Sequence, residues 1–465
     1  MQMSIGDTRF VQFRLTPRTR VNFKDQILQV TGDRLPVSVV CGDPDIANLL
    51  SSLRQEWFTD SQLEEQLELT QLVSMYAVIN AVAEAGYVQT RIQADGYDFV
   101  VKPDRDPLSR NHNVPKHEAA LNWSRFGELR VEKGTWRAES SLSGTTVFLE
   151  SAPATELVIA LGRGEVAPQK IGAQLLVDCL LHSRILRNGA APEIEELWEP
   201  HDLHFHTRSR PGHFEKRYGG TWRVGSDYDV SPVAKPITSD NVIKLAVGRD
   251  LRMPLENVLE RRVSVRDAQT PLTVEQLGEF LWHSARIKTE FQHPAGHLSK
   301  RPYPGGGARY ELEIYLAVHD VTGLDPGVYR YDPRGHQLEQ YGPTGPAWER
   351  VLTDSMVFSR KKTPANVVFM IAARFDRVTV KYEAMAYSLV LKDAGVLIGT
   401  FYLIATALGL SPSGLGTGNL EAFANATGLD LLEESSVADF MLSGSAPDPD
   451  QSELAAQRVD EDAKQ

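Results

Sequence analysis

From Ala394 to Leu420 the chain carries no charged residue (AGVLIGTFYLIATALGLSPSGLGTGNL). Such a stretch has to be hidden from water, in a bilayer or in a protein core. Gly395, Gly399, Gly409 and Pro412 interrupt it. Its compact apolar part, Val396 to Leu410, is about 15 residues against the roughly 20 that a span requires. The segment is expected as a buried core or subunit-interface helix, and no membrane partner is expected. The rest of the 465 residues must wrap it, and 42% hydrophobic with 24% charged residues is enough apolar material for large cores.

At roughly 100–200 residues per domain the chain should hold two or three domains. Its formal charge of -12 repels phosphate backbones and argues against nucleic acid as a general partner. The two cysteines, Cys41 and Cys179, form no CxxC pair and no zinc pattern. That excludes a disulfide framework and makes a reducing cytoplasm the expected setting. The opening MQMSIGDTRFVQFRL has no apolar signal core.

Residues 60–85 carry Leu72, Tyr76, Ile79 and Ala83 at helical spacing and stop at Gly86. Two alternating runs follow around Asp95-Gly96, a strong hairpin signal. Helix then hairpin predicts a winged-helix-like α+β unit over 1–105. Strand-like runs at 126–150 and a helical run at 168–187 predict a second small α+β unit over 106–195. Residues 196–240, polar with Pro, Gly and His, read as an ordered linker. From 241 to 445 helices (274–285, 381–409) alternate with strands (311–321, 327–333, 365–374), which predicts an α+β domain with helices on a mostly antiparallel sheet. Residues 446–465 hold six acidic and two basic residues with almost no large apolar ones, and are expected as a disordered acidic tail.

Four segments of the last domain carry chemistry. In Arg262-Val263-Ser264-Val265-Arg266, extended backbone puts two guanidiniums and a hydroxyl on one side, suited to a phosphate. Arg301-Pro302-Tyr303-Pro304-Gly305-Gly306-Gly307 ends in bare backbone that a flat ring or a phosphate can approach. Lys381-Tyr382 opens the predicted long helix, where a partly buried amine would have a lowered pKa and could act as a base. Ser411 to Asn419 is a glycine-rich loop after that helix and does not match a Rossmann fingerprint. Taken singly, the same segments also describe a solvated arginine pair, a flexible turn, a surface lysine and a helix-ending loop.

Taken together and in this order, the four segments resemble the SagB-type, thiazole/oxazole-forming dehydrogenases of the FMN nitroreductase superfamily. The resemblance covers about 241–445 and reaches into His201–His213. It implies a nitroreductase-like domain with FMN clamped at a homodimer interface. By position, Arg262, Ser264 and Arg266 would hold the phosphate, with Arg261, Lys300 or Arg301 replacing a basic contact that residues 420–445 lack. Pro304, Gly305, Gly306 and Gly307 would line the flavin from one side, and Leu415 and Gly416 from the other. Lys381 and Tyr382 would be the catalytic pair, Lys381 as base and Tyr382 orienting it or relaying the proton. The implied reaction is oxidation of peptide azolines (thiazoline or oxazoline) to azoles during maturation of a ribosomally made peptide, with O2 as the final acceptor. The implied partners are a precursor peptide carrying azolines and a cyclodehydratase. A leader peptide would add a strand to the hairpin at 88–102. The alternatives are an NAD(P)H-dependent nitroreductase or flavin reductase, and a non-catalytic peptide-binding scaffold. His201, His204, His206 and His213 lack a Cys or carboxylate partner in a standard pattern, so no metal is expected.

Overall fold

The computed structural model describes residues 11–105, 121–213, 218–222, 224–225, 228–266, 270–294 and 296–445. The expected tail at 446–465 lies outside them. The chain divides into two compact units, the first ending at Gly219 and the second beginning at Gly220.

In the first unit a six-stranded sheet runs in the order Val11–Leu15, Val88–Ala94, Tyr97–Lys102, Thr146–Leu149, Thr135–Ser140, Gly127–Glu132, every pair antiparallel. The 60–85 helix is two helices, Asp60–Gln66 and Leu69–Glu84. Leu67 is extended, and Glu68 begins a new capping box with Gln71, so a fresh start overrides the continuous apolar spacing. The hairpin turns at Asp95 and Gly96, both at positive φ, as an Asp-Gly pair favours.

The hairpin strands are interior to the sheet, flanked by Val11–Leu15 and Thr146–Leu149. They offer no edge to an incoming peptide strand, which removes 88–102 as a β-addition site. The same sheet crosses the expected division at residue 105. Two cores are present, one around Phe13, Leu50 and Val78 and one around Phe99, Val147 and Leu176 that draws on residues from both sides of that position. The expected linker 196–240 is shared between the units. Its first part forms the helix Pro200–Arg208, tied down by Arg208 to Glu139 at 2.7 Å and His204 to Glu128 at 2.8 Å. Among the described residues no group of three His, Cys, Asp or Glu side chains is arranged to hold a metal.

The second unit is built on a seven-stranded antiparallel sheet. Its order is Val242–Lys244, Gln337–Gly342, Gly327–Asp332, Leu312–Val318, Val367–Arg374, Glu434–Ser445, Leu410–Gly414. Strands Leu312–Val318 and Val367–Arg374 are buried along their whole length, as expected when both faces are covered. One face carries helices Val274–Ala285 and Ala386–Ala407, the first opened by a Thr273–Gln276 capping box. Phe280, Phe369, Phe401 and Phe440 pack between them with ring centroids 4.9–6.3 Å apart. Truncating Phe401 there would cost about 3–5 kcal/mol. The helix Ala386–Ala407 is long and apolar enough by length and composition to cross a membrane. Ala394, Leu397, Phe401 and Ala405 are buried in the core, while Tyr387, Leu391 and Val396 remain exposed.

Candidate active site

Two expectations about local structure change here. The long helix begins at Ala386, not at residue 381. Lys381 and Tyr382 lie in the turn between it and the short helix Asp376–Thr379. Ser411 to Gly414 is an edge strand paired with Glu434–Ser445, not a loop, because an edge position tolerates the Pro412 that lacks a backbone N–H.

The glycine segment and the Lys-Tyr pair come together. Gly307 sits at φ +61. A methyl added to it would lie 2.9 Å from Lys381 Nζ and closer still to the Tyr382 hydroxyl. A side chain at this left-handed position would be strained and would push the ends of Lys381 and Tyr382 away. Gly306 N–H donates to Asp393 Oδ2 at 2.7 Å, and Gly305 lies against the Tyr310 ring. Pro304 and Gly307 are exposed.

Two buried arginines fix this approach by a reciprocal exchange. Arg309 Nε donates to the Arg377 carbonyl at 2.5 Å, and Arg377 Nε donates to the Arg309 carbonyl at 2.7 Å. They join the residues just after the glycines to the helix just before Lys381. Sequence reasoning missed both, since nothing marks the two as partners.

Beneath the glycines lies a pair of acids. Glu311 is fully buried. Burial, then the neighbouring Asp393, push its carboxyl up to about 7. Burial also raises Asp393, against the Gly306 N–H that stabilises its charge. Two such groups share one proton more readily than they both ionise.

The phosphate-type segment is held elsewhere on the same long helix. Arg262 leaves the helix Leu255–Arg261 in extended backbone. Its guanidinium lies 5.4 Å over the Tyr402 ring. The Ser264 and Tyr402 hydroxyls are 2.8 Å apart, and Gly414 N–H donates to Tyr402 Oη at 2.6 Å. Val265 N–H donates to the Pro412 carbonyl at 2.8 Å. Tyr402 therefore joins Arg262–Arg266 to the edge strand that leads into Leu415 and Gly416. Arg262 and Arg266 are exposed. Leu415 N–H donates to the Asp439 carbonyl at 3.0 Å, and burial pushes the Asp439 carboxyl up to about 7.

Arg301 is placed differently from the other arginines. It is buried, donates to the carbonyls of Leu312 and Val233 at 3.3 Å each, and serves the interior of the unit.

The site residues thus form two groups on one helix. Gly306, with Lys381 and Tyr382 nearby through Gly307, meets it at Leu389 and Asp393. Ser264 and Gly414 meet it at Tyr402. From 393 to 402 is nine positions, about 13 Å at the α-helical rise.

The Nitroreductase family model matches residues 259–442, which contain all twelve expected site residues. MJ1384 of Methanocaldococcus jannaschii, named as a nitroreductase, is 32% identical over 163 residues, covering 35% of this chain and 78% of that protein. The trifolitoxin-processing protein TfxB of Rhizobium leguminosarum bv. trifolii is 27% identical over 218 residues, 46% of this chain. The match spans 54% of TfxB, about half its length. Among solved structures, a Ralstonia eutropha protein described as a nitroreductase aligns with TM-score 0.36 and 23% identity, covering 47% of this chain and 97% of that one. A chain of the E. coli microcin synthetase McbBCD complex aligns with TM-score 0.34 and 16% identity, covering 56% of this chain and 99% of its own. The chain belongs to the nitroreductase family.

Proposed function

We propose that this protein is an FMN-dependent dehydrogenase that oxidises azoline rings in a peptide to azoles. The observation that carries the proposal is the bare Gly307 backbone held against the Lys381 amine and the Tyr382 hydroxyl. A flat ring can approach a backbone without a side chain, and a base can stand beside it.

The residues fit the cofactor. Arg262 and Arg266 are exposed cations beside Ser264, a donor set suited to a phosphate. Pro304, Gly305, Gly306 and Gly307 offer one lining surface, and Leu415 and Gly416 another. Bound FMN would supply the two-electron oxidising power. An azoline becomes an azole by losing two electrons and two protons from adjacent ring carbons. Lys381 takes the proton from one carbon while the hydride leaves the other. Tyr382, with Lys381 Nζ 5.0 Å from its ring centroid, orients the amine.

The two groups of site residues, about 13 Å apart along one helix, support a site completed between two copies of the chain. The exposed apolar residues Tyr387, Leu391 and Val396 on that helix support the same homodimer. Similarity to a processing protein supports a place in peptide maturation, with an azoline-bearing precursor as substrate and a cyclodehydratase as its supplier. Cys41 and Cys179 are both buried, and the setting proposed for the protein is the cytoplasm.

The test is the absorption spectrum of the purified protein, followed by mass spectrometry of an azoline peptide incubated with it. The expected result is a flavin spectrum and a loss of about 2 Da per ring, the stoichiometry of two hydrogens removed. Flavin-loaded protein that leaves the peptide mass unchanged overturns the proposal. The likeness to MJ1384 favours a second reading, an NAD(P)H-dependent nitroreductase, which rapid bleaching of the flavin by NADH without oxygen would support.

A further inference from the structure

The short run Gly220-Thr221-Trp222 is laid across the catalytic pair. Gly220 pairs with Tyr382 in an antiparallel bridge. The N–H groups of Thr221 and Trp222 both donate to the Lys381 carbonyl, at 2.9 and 3.2 Å. The Thr221 hydroxyl is buried without a hydrogen-bond partner. Trp222 is held at φ +51, a left-handed conformation that a bulky side chain adopts only where its surroundings impose it. Its ring centroid is 5.9 Å from Lys381 Nζ and 6.0 Å from the Arg309 guanidinium carbon. The side chain nevertheless stays 40% exposed. A strained, backbone-tethered indole, open to solvent beside the base, is placed to meet what the base acts on.

We propose that Trp222 is the aromatic wall of the substrate site and selects for a flat five-membered heterocycle in the peptide. This rests on the azoline-oxidase reading. An indole face attracts a conjugated ring more than a saturated or partly saturated one. The azoline gains aromaticity only as both hydrogens leave, the proton to Lys381 and the hydride to the FMN that the proposed function requires, so the contact strengthens along the reaction, which favours the transition state over the bound substrate. Arg309 helps hold the wall upright: its guanidinium lies beside the indole while its Nε is bonded to the Arg377 carbonyl.

The test uses a fluorescently labelled peptide carrying one azole, the stable product, and the same peptide with the unmodified residue. Polarisation titrations are run on FMN-loaded wild type, Trp222→Ala, Trp222→Phe and Lys381→Ala. Wild type should prefer the azole peptide. Trp222→Ala should lose about tenfold in affinity for it, the scale of aromatic stacking plus lost contact area, with little change for the unmodified peptide. Trp222→Phe should keep most of the preference, which separates loss of an aromatic face from loss of folding. FMN content should be the same in all four. An azole preference unchanged in Trp222→Ala, or absent from wild type, overturns the inference. If azoline peptides are still oxidised and Lys381→Ala stops that turnover, the function stands while the wall does not. If wild type neither oxidises azolines nor binds the azole peptide, both fall.

Discussion

Gly307 and Lys381 are set so closely that a methyl group on the glycine would stand 2.9 Å from the lysine Nζ. Gly307→Ala should therefore displace Lys381 and Tyr382 and strain a left-handed residue. A loss of about 1–3 kcal/mol in stability is expected from the backbone and the clash together. Turnover should fall further than stability does. Thermal melts beside steady-state rates on an azoline peptide measure both. Wild-type kinetics in the alanine variant would show that the close approach has no part in the reaction.

Lys381→Ala should abolish azole formation and keep bound FMN, because the phosphate-type group is attached to another part of the long helix. Mass spectrometry of the peptide and the flavin absorbance of the purified variant give the two readouts. Full turnover would remove Lys381 from its role.

Arg262→Ala combined with Arg266→Ala should give protein that purifies with little flavin, since two charge-assisted contacts are lost. Tyr402→Phe should act on the same property indirectly. It removes the hydroxyl that meets Ser264 and accepts from Gly414, at about 1–3 kcal/mol, and so loosens Arg262–Arg266 from the edge strand. Flavin content after dialysis checks both variants. An unchanged content in the arginine double variant would place the phosphate elsewhere.

Glu311 makes the second unit sensitive to pH. Its carboxyl is raised from the ordinary 4.5 to about 7, so between those values the folded chain holds a proton that the unfolded chain has released. Stability from this group is fully present below about 4.5, declines as pH rises toward 7, and is flat above. The size is roughly 3 kcal/mol. Glu311→Gln should flatten the dependence between pH 5 and 8, read from urea unfolding at each pH. An equally steep curve in the glutamine variant would assign it to other groups.

What the sequence disclosed follows from how far apart the interacting residues lie in it. Helix Val274–Ala285 and the strands Leu312–Val318, Gly327–Asp332 and Val367–Arg374 were readable because spacing and capping are local signals, whereas Val242–Lys244, Gln337–Gly342 and Glu434–Ser445 were not read from the sequence. The order of the four motifs pointed to the family, and the Lys381–Tyr382 approach to Gly307 joins two of them. The start of the long helix was misplaced because Lys381 to Met385 is apolar and charged in the right proportions for a helix, while its backbone is committed to Gly220, Thr221 and Trp222. The strand at Leu410–Gly414 was hidden because Pro and Ser dominate it; an edge position tolerates them. Glu311 with Asp393, Arg309 with Arg377, and Trp222 with Lys381 are tertiary pairings of single residues, and no periodicity announces them.

The two groups of site residues share one rigid rod, and that fixes their phase as well as their spacing. Adding or deleting a single residue between Asp393 and Tyr402 would swing one group by about 100° around the rod relative to the other. The Gly306 attachment and the Ser264 attachment could then no longer both be made. Exposed side chains on that span, such as Val396, can consequently change without disturbing either attachment, whereas the number of residues between them cannot.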